Sequence, residues 1–466
     1  MSLKQKHIAA CEQKDFYQKQ VDKIAQKIRE DKTGAFWYKE EYIAYMYQQA
    51  VEQDNQEKKG ALYGLTFGAK DVFTVKSLST TAGSKILSGF KGPYTSTLVK
   101  AIEDKGALLS GKLAMDEFAM GSYSNTSHLG RVTLVGKPQR TAGGSSGGSA
   151  SALDVLDFTL GSDTGGSVRQ PASFGGYVGY KPSYGTFSRF GMISYASSLD
   201  QAGLLTHSVE DLHYLMSQGI AASDSQDMTS VEYFKPQCLS QNSEIKKIGY
   251  FPEILNSDLD SCVKEAYQKM LSCFPSYMLH PIIPKYMKYA TQVYYIIACA
   301  QAASNLARYQ GIYFGSDIEK VQDKMTYWQQ VAYHRGQMFG PEVQKRIMLG
   351  SYITSSEHFT TVYKKATDLR SAMQKEFKDI FSLVDTLVLP VSPFTAPTWE
   401  SIGQMSSSKI YMADYMTVPF SLAGLPAISM PLYKDKQGLA IGMQFVGAQY
   451  DDAQLISKCL DLEKKL

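Results

Sequence analysis

The amino-acid sequence predicts an α/β fold, and three observations lead there. Between residues 61 and 255 short apolar runs alternate with helix-like stretches, the pattern of a sheet with substantial parallel pairing. From 256 to 381 helical periodicity dominates. Strand-like runs then return in 382–466. An α/β core, interrupted by a helical insertion and completed by the C-terminal segment, accounts for this order. Residues 1–60 form a helical segment packed on that core.

Each element follows from its local pattern. Residues 8–55 set apolar and aromatic positions (Phe36, Trp37, Tyr42, Ile43, Tyr45, Met46) among Lys, Gln and Glu, which reads as helix, and the polar run Glu52–Gly60 closes it. Leu62–Ala69, Ala107–Leu113 and Phe158–Leu160 are expected as strands, with a helix over Ser96–Lys105. Ser208-Val-Glu-Asp211 has the form of a capping box, opening a helix through about Ile220. Helical patterning covers 284–309, 317–350 and 356–380, and strands are expected at Thr386–Pro390 and Leu439–Val446. The longest uncharged stretch, Tyr289–Ala307, contains Gln, Thr, Ser and Asn, so a buried helix is expected there rather than a membrane span. Internal repeats and low-complexity tails are absent from the sequence.

Composition narrows the function classes. The net charge is only +3 over 466 residues, which argues against a broad nucleic-acid surface, since phosphate binding needs clustered Lys and Arg. Six scattered cysteines include no Cys-x-x-Cys pair, fitting neither a disulfide framework nor a zinc site, so a reducing compartment and no metal are expected. The start, MSLKQKHIAACEQKDF, has neither the apolar core of a signal peptide nor the pattern of a transit peptide. There is also no Walker-type Gly-x-x-x-x-Gly-Lys-Ser/Thr motif.

Two glycine tracts carry the chemistry: Gly143-Gly144-Ser145-Ser146-Gly147-Gly148-Ser149, and Gly161 through Ala172 containing Ser162-Asp163-Thr164-Gly165-Gly166-Ser167. Both are brief, heterogeneous and set among apolar residues, unlike flexible linkers. Glycine lets the backbone approach a ligand closely while serine supplies a hydroxyl at the same point. A serine hydrolase needs a nucleophile, a base and oxyanion donors. Thr164-Gly165-Gly166-Ser167 offers successive backbone N–H groups suited to an oxyanion hole.

The base is less obvious. None of the seven histidines has a local partner that marks it as catalytic, and His207 and His334 are expected to be ordinary polar residues. A lysine can serve if burial lowers its pKa from about 10.4 by roughly three units. Lys70, which ends the apolar run Leu62–Ala69 and precedes Asp71, is the candidate. Gly144-Ser145-Ser146-Gly147-Gly148 also matches the G-x-S-x-G nucleophile elbow, which requires a strand before it. Gly136–Ala142 is a poor strand by composition, so the match is expected to be accidental.

Lys70-Asp71 followed by the two glycine tracts resembles the amidase signature family, over nearly the entire chain from about residue 15. The resemblance implies a central mixed, twisted β-sheet sandwiched between α-helices, and a Ser–cis-Ser–Lys triad. In it Ser167 is the nucleophile, Ser145 the bridging serine on a cis peptide, and Lys70 the base. A hydroxyl both donates and accepts, so Ser145 can relay a proton from Ser167 to Lys70.

Within the family the chain is most similar to the A subunits of glutamyl-tRNA(Gln) amidotransferases, through Gly111–Gly121, Gly179–Gly185, Ser197–Gln201, Ser304–Arg308, Arg346–Gly350 and Leu422–Ser429. That similarity implies a glutaminase whose ammonia passes to a partner subunit that converts Glu-tRNA(Gln) to Gln-tRNA(Gln). It assigns Arg346 to the glutamine α-carboxylate and Asp414 to the α-ammonium. It also implies two partners, a B subunit together with a small C-type or organellar equivalent subunit. ATP and Mg are then expected on the partner subunit, with no cofactor in this chain. tRNA is met through the complex rather than directly, with no membrane involved. The compartment implied is the bacterial cytoplasm, with the mitochondrial matrix as the alternative.

Several positions depart from the pattern. Ser145 and Ser167 stand 22 positions apart, two fewer than the resemblance implies, which predicts a shorter helix between them. Leu134–Pro138 replaces an Asn-Pro-Trp-Asp-like stretch. Gln301 and Gln310 stand where acidic residues are common, and Tyr123 replaces a smaller residue. A stand-alone amidase for small or aryl amides, and a scaffold without catalysis, are the alternative readings.

Overall fold

The computed structural model describes residues 1–240, 244–312 and 325–465. Its strands are β1 (Phe36–Trp37), β2 (Thr66–Lys70), β3 (Leu108–Leu113), β4 (Thr133–Leu134), β5 (Lys137–Thr141), β6 (Phe158–Asp163), β7 (Val178–Lys181), β8 (Gln201–Thr206), β9 (Ile248–Tyr250), β10 (Leu279–Pro281), β11 (Thr386–Pro390), β12 (Ala427–Lys434) and β13 (Ala440–Val446). All except β4 and β5 join one sheet of 11 strands, in the order β1-β3-β2-β6-β8-β7-β12-β13-β11-β9-β10.

Parallel pairing is confined to two flanking groups, β3-β2-β6 and β11-β9-β10. From β6 across to β11 the ladder is antiparallel. The hairpin β12–β13 closes the centre, with Ala427–Ser429 pairing against Gly179–Lys181. Helices flank this mixed sheet, Arg169–Gly175 packing on β7, β12 and β13. Every residue of β2 and β6 is buried, and the rings of Phe67 and Phe158 stack at 5.5 Å between them. Burial on both faces explains why these strands read as nearly continuous apolar runs.

The N-terminal segment is helical over Leu3–Cys11, Phe16–Glu30 and Lys39–Asp54. Tyr17, Val21, Ala25 and Ile28 give the second helix its buried stripe, and the Tyr17 hydroxyl donates to the carbonyls of Leu65 and Gly106. Phe36 and Trp37, expected as helix, instead form β1 against Leu113 and Lys112. Gly111 makes room for the Phe36 ring to lie over β3. A two-residue strand is too short to have a period.

Ser208 caps Val209–Ser217, its hydroxyl accepting from the Asp211 N–H at 3.1 Å. That helix stops short of Ile220 because Gly219 turns left-handed, with φ 67°. Of the helix expected over 317–350, residues 317–324 lie outside the described residues. The remainder is two helices, Tyr327–Met338 and Pro341–Ile353. The break falls at Gly340-Pro341, where proline supplies no N–H and disfavours helix in the residue before it. The uncharged stretch forms the helix Ala290–Asn305, largely buried. No helix among the described residues is long and apolar enough to cross a membrane.

Candidate active site

Both glycine tracts lie in the loops that follow strands and lead into helices. Lys70 closes β2, and β6 runs beside it in parallel before delivering Thr164–Ser167. The strand carrying the amine and the loop carrying the Ser167 hydroxyl thus leave the sheet at the same end. The first tract reaches that end from β5 and enters the short helix Gly147–Ser151. Its Gly144–Ser145 peptide is cis.

Lys70 is fully buried, and its Nζ donates to Ser145 Oγ at 2.7 Å and to Ser162 Oγ at 2.9 Å. Burial pulls its pKa down to about 7, against the upward pull of Asp116, Asp163 and Asp200. Ser145 is held by its own backbone, its carbonyl accepting from Asp116 N at 3.2 Å. The next residue couples the tracts, since Ser146 N donates to the Ser167 carbonyl at 3.2 Å. Ser167 is buried to all but 8% of its surface.

A buried ion pair shapes the Thr164–Ser167 loop. Arg169 grips Asp163 bidentately, Nε to Oδ2 at 3.0 Å and Nη2 to Oδ1 at 2.9 Å, and also donates to the Gly165 carbonyl. On the other side the Thr164 hydroxyl donates to Asp200 at 2.7 Å. The N–H groups of Gly165, Gly166 and Ser167 donate to no acceptor among the described residues. A backbone fixed this way, with donors not spent on other acceptors, can hold an oxyanion.

Asp414 and Arg346 lie near enough for the Arg346 charge to act on the Asp414 carboxyl, with no hydrogen bond or ion pair between them among the described residues. Asp414 accepts from the Ser122 hydroxyl at 2.8 Å, and burial pushes its carboxyl up to about 6 against that bond and the Arg346 charge. Its Oδ1 stands 3.4 Å from where a Cβ at Gly166 would lie. Arg346 donates from Nε to Glu342 at 2.8 Å and from Nη1 to the Tyr195 hydroxyl at 2.6 Å, and stacks near Tyr295. Nη2 has no hydrogen-bond partner among the described residues, so one end of the fork stays open. Arg346, Tyr295, Ser122 and Tyr123 line one cavity of about 180 Å³.

The elbow motif has a structural explanation. Contrary to expectation, Lys137–Thr141 is a strand, β5, pairing with Thr133–Leu134 in a ribbon apart from the main sheet. Its polar residues fit because the ribbon is only partly buried. Yet the elbow serine, Ser146, is fully buried, donating to the Ser162 carbonyl at 3.1 Å and accepting from Ser162 N at 3.3 Å. Its hydroxyl is engaged in joining the tracts.

Several supporting residues escaped the sequence reading. Ser162 is the second partner of Lys70. Gln170 accepts from Gly144 N at 2.9 Å and donates to the Ser122 carbonyl at 3.0 Å. Asp116 gathers the N–H groups of Ser124, Asn125 and Thr126. Ser162, Gln170 and Asp116 all sat in segments already singled out, but only their partners define their roles. Gln301, standing where an acidic residue was expected, pairs with Ser198 through both amide atoms. Gln310 accepts from the Tyr327 hydroxyl. No group of three or more His, Cys, Asp or Glu that could hold a metal exists among the described residues.

Comparison with known proteins establishes the family. The chain is 38% identical to the A subunit of the glutamyl-tRNA(Gln) amidotransferase of Psychrobacter sp. (strain PRwf-1), over 98% of this chain and 92% of that one. It is 40% identical to the protein of the same name from Helicobacter hepaticus, over 86% and 90%. The crystal structure of the Thermotoga maritima protein of that name matches with a TM-score of 0.77 at 28% identity, covering 99% of this chain and 93% of the other. A solved amidase matches with a TM-score of 0.81 at 26% identity over the full length of both. With residues 18–456 fitting the Amidase family model on top of these likenesses, the chain belongs to the amidase family.

Proposed function

We propose that this chain is the glutamine-hydrolysing A subunit of a glutamyl-tRNA(Gln) amidotransferase. Neutral Lys70 takes a proton from Ser145, which takes one from Ser167 as its oxygen attacks the glutamine side-chain carbonyl. The oxyanion rests on the N–H groups of Thr164–Ser167. Collapse breaks the C–N bond, the departing nitrogen takes back the proton, and ammonia leaves a glutamyl ester on Ser167. Water, deprotonated through the same relay, hydrolyses that ester. Arg346 pairs with the α-carboxylate and Asp414 with the α-ammonium, so both charged ends of a free amino acid are recognised.

The observation that carries this reading is the Lys70–Ser145 hydrogen bond at 2.7 Å, in a buried setting that brings the amine's pKa down to about 7, so that a large share of it is neutral near pH 7. The relatives' names support a place in an amidotransferase complex, and the family resemblance suggests the remaining parts. Ammonia goes to a B subunit, which handles ATP and Mg and amidates Glu-tRNA(Gln), with a small C-type subunit in the complex. tRNA is bound through the complex, in a bacterial cytoplasm.

The test is glutamate release by the chain purified with its native partners, with and without Glu-tRNA(Gln). Stimulation by the tRNA and its loss in Ser167→Ala are expected. Vigorous hydrolysis of simple amides, unchanged by tRNA or partners, would instead favour a stand-alone amidase. A Ser167 that no serine-directed acylating probe labels would favour a scaffold.

A further inference from the structure

The helix that carries Arg346 reaches the core after a long excursion through the helical insertion. Its N-terminus is nevertheless tied directly to the α/β core. Gly340, the N-cap residue of Pro341–Ile353, donates its N–H to Glu117 Oε2 at 2.8 Å. The other carboxyl oxygen of Glu117 accepts from the Ser84 hydroxyl. Glu117 is 2% exposed, with no cation paired to it among the described residues, and its backbone N–H donates to Thr126 Oγ1 at 3.0 Å. A carboxylate suits this place, because four N–H groups at a helix start lack internal partners and the helix dipole favours negative charge there. The fit is close, since a Cβ at Gly340 would run into Glu117 Oε2.

Its neighbour makes the tie functional. Asp116 N donates to the Ser145 carbonyl, and the Asp116 carboxylate gathers Ser124, Asn125 and Thr126, the turn that follows Ser122 and Tyr123. The chain at Phe118 and Ala119 then turns through positive φ, 47° and 61°, conformations that non-glycine residues rarely adopt. Two consecutive residues thus hold both sides: Asp116 holds the bridging serine through its backbone N–H and the turn beside the cavity through its carboxylate, and Glu117 holds the clamp-bearing helix through its carboxyl.

We infer that Glu117 is a positioning residue for substrate binding: it sets where the Pro341–Ile353 helix begins, and so where Arg346 meets the α-carboxylate of an amino-acid amide. The inference rests on the proposed glutaminase reading. Glu117 touches neither Ser145 nor Lys70 through its side chain, so its loss acts on binding rather than on the relay.

The experiment measures kcat and KM for glutamine, and kcat/KM for propionamide (an amide without a carboxylate), on the chain with its native partners. Glu117→Ala is expected to raise the glutamine KM about tenfold with kcat held within about twofold. Its kcat/KM for propionamide should stay at the wild-type value. Glu117→Gln should restore most of the KM, because its amide can accept from Gly340 N and donate to the Ser84 hydroxyl. Gly340→Ala should reproduce the KM rise from the other side of the contact without removing any acceptor. An unchanged KM in folded Glu117→Ala overturns the inference, as does equal loss on both amides. Failure of the glutaminase reading would look different: the wild-type protein would cleave propionamide but not glutamine, while the proposed effect of Glu117 would have no glutamine KM to act on.

Discussion

Lys70 Nζ lies 2.7 Å from Ser145 Oγ, and Lys70 forms no ion pair among the described residues. An amine in that setting donates while charged and accepts once neutral, so the same contact can be a structural bond or a proton relay depending on pH. The carboxylates of Asp116, Asp163 and Asp200 act only at a distance, and burial outweighs them. If the neutral amine is the working form, kcat/KM for glutamine rises with pH through an inflection near 7 and then levels off. Lys70→Arg, which stays protonated at every accessible pH, should lower kcat by about 10⁴-fold and remove the inflection. A persisting inflection in that variant would assign it to another group.

The same burial has a thermodynamic signature. Folding lowers the Lys70 pKa from 10.5 to about 7, so between those values the unfolded chain binds the additional proton. Stability contributed through this site therefore rises with pH across that window, and the penalty is complete below it. Lys70→Met removes the titrating group at similar size, leaving a cost from the unpartnered Ser145 and Ser162 hydroxyls that does not vary with pH. The difference in Tm, variant minus wild type, should be most favourable to the variant near pH 6 and shrink steadily toward pH 10. A difference independent of pH would mean that Lys70 is not desolvated as the structure has it.

Arg346 and Asp414 should fail in different ways. If Arg346 pairs with the α-carboxylate as proposed, Arg346→Met removes a charged hydrogen bond of about 1.5–3 kcal/mol, and the glutamine KM should rise about 10- to 100-fold. Asp414 titrates at about 6 because burial raises it, so lowering the pH below 6 should neutralise it and raise the wild-type KM. Asp414→Asn should show the raised KM at every pH, with that acid limb gone. Initial rates across pH 5 to 8, at saturating and limiting glutamine, separate these effects.

What was legible in the sequence follows from how far apart the interacting groups are. Ser145 and the Thr164–Ser167 loop stand out because glycines and serines concentrate at both places, and Lys70 because it ends an apolar, strand-like run. Arg346 and Asp414 were reachable only by family resemblance, since a lone arginine on an amphipathic helix has no local mark. Ser162 was hidden because its bond to Lys70 spans 92 positions, and Glu117 because Gly340 is 223 positions away. The fold divides the same way. The buried strands β2, β3 and β11 declared themselves as apolar runs, whereas β1, the polar ribbon strand β5 and the equally buried β7 and β8, which mix Gly, Lys, Gln and Thr with apolar residues, did not. The strand order depends on pairings such as β7 with β12, joining Lys181 to Ala427, which no local pattern encodes.

The Asp163–Arg169 pair is fully buried and needs both members. Arg169 also donates to the carbonyls of Thr417 and Gly165, to Gln444 and to Ser421, so its removal frees acceptors on three segments at once. Breaking a buried pair from one side typically costs about 3–5 kcal/mol. Arg169→Met should accordingly lower the unfolding free energy by that amount and reduce acylation of Ser167 by a serine-directed probe. Arg169→Lys should recover little, because an ammonium cannot reproduce the two-pronged grip on Asp163. A Met variant that keeps wild-type stability would show the pair to be dispensable.

Gly166 is the position where the second tract has least freedom. Its φ is not among the positive values, so the requirement is for space rather than for backbone conformation. A Cβ there would run into the Thr417 hydroxyl and press toward Asp414, displacing the N–H groups offered to the oxyanion and the carboxylate together. Losing one oxyanion donor costs about 10²–10³ in kcat, and Gly166→Ala is expected to fall in that range with a raised KM besides. Thr417→Ala removes the oxygen that the new methyl meets. In a double-mutant cycle the pair should therefore be less impaired than the sum of its parts, with a coupling of about 1 kcal/mol or more. Strict additivity would mean that the methyl harms the loop by another route, and that Thr417 does not set the packing limit at Gly166.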